Sequence, residues 1–316
     1  MERKGIVMDD VKAIDIMNYP MIVKEIVDYD MNEWAEWRQL AQTTFKPMLP
    51  TGRFPRTLEE CKALPHLHGT IMSPYETMSD FIKDMDKAGY DRVCICAAKM
   101  WSYSHTRSLL WDFTIEDVNN FVDKAEGRAI GAAGYNPFKI DASLEEIDKG
   151  VKEYGFKFVY VHSLGFGLHL NDKKLYPLYA KCNELDIPVS MQTGHSAEPM
   201  PSWVGNPMAI DEVVMDFPNL KINLSHTGWP WFREWCDMVW KHPNVYGDIS
   251  AYMPESLEAY QKEFMASGRG KRKVMWGTNG MGFFRGKKEL MEMEMKDDVK
   301  MKILRENAIR FLGLEE

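Results

Sequence analysis

The sequence predicts an α/β protein of the (β/α)8 TIM-barrel type on three observations. Eight short apolar, β-branched runs recur along the chain, helical stretches separate them, and the glycine motifs that cradle phosphates in open sheets are missing. The runs span 11–17, 92–97, 128–135, 156–162, 187–192, 220–226, 245–249 and 273–276. A chain of 316 residues is long enough for two domains, but eight strand-helix units fill it as one barrel, 1–316. An open doubly wound sheet is the competing architecture. Against it, no G-x-G-x-x-G follows the first run, and no G-x-x-x-x-G-K-[ST] occurs anywhere.

The first run leads into residues 20–73, which break the rhythm. This excursion is rich in proline and aromatics, including Trp34, Trp37, Phe45 and Phe54. After a first barrel strand it would sit at the C-terminal face, where the strand-helix loops build active sites, so it reads as a cap. Further on, Thr114 with Asp117 and Ser143 with Glu146 have capping-box spacing and predict helix starts. Pro188 falls at the mouth of the fifth run, where a missing N–H costs least. Val299, Ile303, Ala308, Phe311 and Leu312 recur at helical spacing up to Gly313 and predict a closing helix.

Lys and Arg number 39 against 47 Asp and Glu, a net charge of -8 that would repel a phosphate backbone, so nucleic acid is not an expected partner. The basic group Arg269, Lys271, Arg272 and Lys273 reads as a solvated loop. No apolar window approaches the length of a membrane span, and the N-terminus lacks a signal-peptide core. The five cysteines, at 61, 94, 96, 182 and 236, show no C-x-x-C spacing, which fits reduced thiols and a cytoplasmic location. Cys94 and Cys96 share a strand face and read as small buried hydrophobes.

Three histidines end predicted strands or follow them closely. His226 closes the sixth run, His195 lies just beyond Gln192 of the fifth, and His162 closes the fourth at the same parity as Tyr160. Each is either a group of the catalytic mouth or a satisfied core histidine. His66-Leu-His68 has chelating spacing, but proline and glycine surround it and no strand-like run carries it. His105, His169 and His242 read as loop or surface residues. Asp248, at the end of the seventh run, either orients an imidazole or acts as a base, or else caps the next helix. Tryptophans at strand ends, Trp229 among them, favour a flat apolar or aromatic ligand.

Several segments then carry a family resemblance. Asn206-Pro-Met, the stretch from Phe217 through His226 to Pro230, His242 through Asp248-Ile-Ser, Trp276-Gly-Thr-Asn279 and Asn307-Ala-Ile-Arg-Phe-Leu resemble the amidohydrolase-related branch of the amidohydrolase superfamily. Leu175-Tyr-Pro-Leu-Tyr and Ile187 through Gly194 resemble it as well. The resemblance implies a barrel with a divalent metal at its mouth and His226 as the proton-transfer residue. It also implies a homo-oligomer acting on a small-molecule substrate.

The chain departs from that pattern at the metal positions. Where the family carries a chelating H-x-H or E-x-H on strand 1, Ile14-Asp15 leads to Met17 and Tyr19; the strand 5 histidine is Gln192, and the strand 8 aspartate is Asn279. A thioether, a phenol and two carboxamides offer a hard or borderline cation neither charge nor imidazole, so no metal and no other cofactor is expected. Two readings follow. In one, the protein is a metal-independent hydrolase or lyase of a small cyclic or aromatic carboxylate or lactone. His226, with His195 and Asp248, would do its chemistry, and Tyr19, His162, Gln192, Asn279 and Trp229 would bind substrate. In the other, it is a catalytically silent binding or partner subunit on the same scaffold.

Overall fold

The computed structural model describes residues 11–20, 31–46, 48–64, 75–103 and 105–315. Among the described residues ten strands are present: β1 (Ala13–Asn18), β2 (Tyr90–Cys96), β3 (Lys99–Trp101), β4 (Leu109–Asp112), β5 (Ala129–Gly134), β6 (Phe158–Val161), β7 (Val189–Gln192), β8 (Ile222–Ser225), β9 (Val245–Asp248) and β10 (Val274–Met275). Eight of them form one sheet in the order β1-β2-β5-β6-β7-β8-β9-β10, and the neighbours pair in parallel. The amide of Ile16 donates to the carbonyl of Trp276 at 3.0 Å, which brings the chain after the last strand beside the first. This is the TIM barrel that the eight runs predict. The hairpin β3–β4 is an addition that the eight runs do not include: Lys99, Met100 and Trp101 pair antiparallel with Leu109 to Asp112.

Side chains alternate along β2, β5 and β6. Cys94 and Cys96 of β2, Ile130 and Ala132 of β5, and Phe158 and Tyr160 of β6 point into the barrel. Their neighbours Val93, Ile95, Ala133, Val159 and Val161 pack outward against helices. The predicted cap joins the inner cluster: Trp37, Leu40 and Ala41 of α1 (Ala35–Gln42), together with Leu49 and Phe54, share one apolar core with Ile14, Ile16 and Met17 of β1.

Helix chemistry follows the sequence in one case and corrects it in another. Thr114 and Asp117 form the predicted reciprocal capping box. Ser143, by contrast, lies inside the helix Ile140–Lys152. Its hydroxyl accepts from the amide of Asn136 at 3.0 Å, fastening the chain that leaves β5 rather than capping a helix. The predicted closing helix runs Asp297–Met301, a π-turn at Lys302–Glu306, and Asn307–Leu312, ending on Gly313 in the left-handed conformation at φ 64°.

Candidate active site

One cavity of about 350 Å³ opens at the C-terminal end of the barrel. Tyr19, His162, Gln192 and Asn279 line it, as do His195, His226 and Trp229, so seven of the eight expected site residues meet there. The eighth, Asp248, lies one layer behind. Trp37, Leu40, Thr44 and Phe45 cover the same space, which places part of the 20–73 segment over the mouth. His66 and His68 lie outside the described residues. Met17 does not line the cavity; its buried sulfur lies 3.7 Å from the thiol of Cys96.

His226 is held by a three-residue chain. Its Nδ1 lies 2.6 Å from the hydroxyl of Ser250 and 3.1 Å from the Ser250 carbonyl. The Ser250 hydroxyl donates in turn to Oδ1 of Asp248 at 2.5 Å. A serine has one hydroxyl proton and here it is directed at the carboxylate, so the hydrogen between serine and histidine belongs to Nδ1. The tautomer is therefore fixed, and the Nε2 lone pair is left for the cavity. Burial holds the imidazole below its ordinary pKa, while the Asp248 charge and the Ser250 carbonyl partly offset it. Asp248 thus orients the imidazole through a serine rather than by direct contact with the ring. It also accepts from the amides of His226 and Ser250 and from Asn223 Nδ2, the last at 2.6 Å.

The backbone at this place is strained. His226 and Thr227 both have positive φ, 69° and 61°, as do Ala251 at 66° and Asn279 at 55°, all flanking the cavity. Left-handed conformations in non-glycine residues cost on the order of 1–3 kcal/mol and persist where surrounding bonds over-determine them. Gly194 (φ 81°) is where the left-handed backbone needs glycine. A Cβ there would sit 2.6 Å from the Trp229 carbonyl. The free space lets the amide of His195 reach that carbonyl at 2.7 Å, and the His195 ring packs on Trp229 with centroids 4.6 Å apart.

The remaining polar groups include two phenol–carboxamide pairs, a histidine and a carboxyl. Tyr19 donates to Oδ1 of Asn279 at 2.7 Å, and Tyr160 donates to Oε1 of Gln192 at 2.9 Å. His162 accepts the Gly165 amide at Nδ1, 3.2 Å away, and burial pulls its pKa down to about 3, so it is neutral. Glu198 lines the cavity, is bonded by the Ser196 hydroxyl and has its pKa raised by burial. Asp15 takes no part in the cavity. Its carboxylate accepts from Thr278 N at 2.9 Å, Thr278 Oγ1 at 2.5 Å, Asn18 Nδ2 at 2.7 Å and the Met17 amide at 3.1 Å, locking β1 to the turn after β10.

The residues at the four metal positions do not fit a divalent cation. The Met17 sulfur is engaged with Cys96, burial holds the Tyr19 phenol protonated, and both carboxamide oxygens already accept from phenols. Among the described residues, no group of three or more His, Cys, Asp or Glu side chains could hold a metal ion.

Two readings change. His242 lies on a loop, one of its two expected placements, but it is buried and bonds the Asp211 carboxylate at 2.6 Å. Lys273 is not solvated like its neighbours; its ammonium donates to the Val239 carbonyl at 2.9 Å. Ser250, Tyr160 and Glu198 are site residues that sequence reasoning missed, whereas Trp111, one of the strand-end tryptophans, and Trp37 of the expected cap both line the cavity. Ser250 carried a signal, since Asp248-Ile-Ser250 puts the hydroxyl on the carboxylate's side of the chain; Glu198, on an irregular loop, carried none.

The sequence model of the amidohydrolase family matches residues 96–314. Among solved structures, an uncharacterized TIM-barrel protein from Bordetella bronchiseptica is 22% identical, with a TM-score of 0.70 over 96% of this chain and 98% of that one. A manganese-bound 5-carboxyvanillate decarboxylase from Novosphingobium aromaticivorans is 17% identical, TM-score 0.65, over 99% and 100%. A 4-oxalomesaconate hydratase from Rhodopseudomonas palustris is 19% identical, TM-score 0.56, over 95% of each chain. At these identities the likeness to solved structures is one of fold.

Proposed function

The chain belongs to the amidohydrolase family, and from that premise we propose that it is a metal-independent hydrolase or lyase of a small cyclic or aromatic carboxylate or lactone, with His226 as the proton-transfer residue. One observation carries this reading: the Asp248–Ser250–His226 chain presents an Nε2 lone pair to a cavity that polar side chains line from β6, β7 and the turns after β8 and β10. A silent barrel has no need for a fixed tautomer at strained backbone, and strain of this kind gathers at functional sites. Nε2 takes a proton from attacking water or from the substrate as the bond changes, and returns it to the leaving group or the product carbon. Ser250 and Asp248 keep Nδ1–H in place and balance the transient imidazolium. The carboxamides of Gln192 and Asn279 are placed to bind the oxygen on which negative charge develops.

His226→Asn is the test, on whichever compound of a panel of aromatic lactones and hydroxybenzoic acids the wild type turns over. Turnover should fall by about 10²- to 10⁴-fold with the melting temperature unchanged. Full activity in that variant would remove His226 from the chemistry and shift the role to His195 or His162.

A further inference from the structure

The two phenol-carboxamide pairs say more about the ligand than about the reaction. Both the Tyr19 and Tyr160 hydroxyls lie on carboxamide oxygens, at 2.7 and 2.9 Å, and donate to them, and burial holds both phenols well above their ordinary pKa, so each keeps the proton it donates. Their partners are Oδ1 of Asn279 and Oε1 of Gln192, which fixes the orientation of each carboxamide. Once each oxygen is taken, Nδ2 of Asn279 and Nε2 of Gln192 are the groups left over. Neither has a protein partner among the described residues, and both side chains line the cavity.

Charge around these donors is unusual for an anion site. No Lys or Arg is found among the described residues lining the cavity. Burial keeps His162 neutral and disfavours the charged form of His226. The acidic side chain in the lining is Glu198, and much of the remaining wall is aromatic: Trp37, Phe45, Trp111, Trp229 and Tyr252. A carboxylate entering this space would shed its water with no cation to replace it, beside a group that repels it when ionised. A neutral carbonyl oxygen loses little on desolvation and is served well by neutral N–H donors.

We propose that this site takes an uncharged carbonyl compound carried on a flat ring, a lactone, ester or amide rather than a free carboxylate or a cation. Its carbonyl oxygen accepts from the carboxamide N–H groups of Asn279 and Gln192. The inference rests on the cavity being the place where His226 acts, and it narrows the ligand there. Tyr19 and Tyr160 are positioning residues: each prevents its carboxamide from turning its oxygen toward the ligand.

Titration calorimetry of the full chain at neutral pH tests this with three probes of similar size: oxindole, a neutral bicyclic lactam; benzoate; and phenyltrimethylammonium. Oxindole should bind at least about tenfold more tightly than either charged probe, and Asn279→Asp and Gln192→Glu should each weaken it by about tenfold. The wild-type comparison stands even if a variant fails to fold. Benzoate or phenyltrimethylammonium binding as tightly as oxindole, or no oxindole binding at millimolar concentration, overturns the proposal. The two readings fail separately. His226→Asn should still bind oxindole; if it also keeps full turnover, the proton-transfer role falls and the ligand class stands. A preference for benzoate combined with lost turnover in His226→Asn has the opposite meaning.

Discussion

At the N-terminal end of the barrel, cationic side chains are bound to backbone carbonyls; at the C-terminal mouth, the described lining holds no lysine or arginine, and two neutral donors have no protein partner. Lys287 donates to the carbonyls of Val11, Ala88 and Gly89 at 3.2, 2.7 and 2.7 Å, tying the chain that enters β1 to the chain that enters β2. Arg128 reaches the carbonyls of Tyr90 and Asp91, both at 2.6 Å. Lys273, just before β10, donates to Val239 O at 2.9 Å, and burial lowers its pKa to about 8. These charges complete a backbone that would otherwise lack donors. The mouth shows the converse arrangement, with lysine and arginine missing from the described lining and hydrogen-bonding capacity left over. One end of the same sheet is tied together by these bonds, and the other is the end we propose takes the ligand.

The largest effect that would sharpen this contrast lies behind His226. Ser250→Ala should lower kcat by about tenfold by removing the hydroxyl that links the imidazole to Asp248, leaving Nδ1–H only the carbonyl of residue 250. It should also leave KM nearly unchanged and move the acid limb of the rate profile further down in pH, since the link from Asp248 to the imidazolium is cut. A steady-state pH profile checks it; loss of stability alone would lower active protein without moving that limb.

Next in size is a substitution at the floor. Lys287→Met keeps the length of the side chain and leaves three carbonyls without their ammonium, which should cost about 1–3 kcal/mol of stability with kcat and KM unchanged. Denaturant melts and kinetics on one preparation decide it. A kinetic effect comparable to that of Ser250→Ala would break the division between the two ends.

The smallest effect at neutral pH concerns His162, whose pKa falls from 6.5 to about 3 in the fold. The folded state resists taking this proton, so the group's contribution is complete above about 6.5 and is lost as pH falls toward about 3. His162→Asn should therefore flatten the acid side of the stability curve while changing little at pH 7. Asp15 works in the opposite sense. Its pKa rises to about 6, so its contribution is present below 3.8 and lost as pH rises through about 6, and the histidine variant leaves that component in place.

The barrel was legible because its strands announce themselves by apolar runs and its inner and outer faces by parity, as Cys94, Cys96, Phe158 and Tyr160 show. Ser143 misled because serine three residues before glutamate also occurs inside helices, where the hydroxyl finds another partner. The site was legible where a residue closes a strand, as His162, Gln192 and His226 do. It was not legible where the interaction joins distant strands, since nothing local says that Tyr160 will meet Gln192 or that Tyr19 will meet Asn279. Lys273 and His242 illustrate the same blindness at the floor: both read as polar loop or surface residues, and both are bonded by groups far away in sequence.

The central claim is that the mouth does its chemistry without a metal, and elemental analysis of the purified, active protein before and after chelation tests it most directly. The account predicts no stoichiometric zinc, manganese or iron, and activity unchanged by the chelator, because a thioether, a protonated phenol and two engaged carboxamides cannot replace the water a divalent ion must shed. About one transition metal per chain, removed together with activity, would contradict it and point to ligands beyond those four positions.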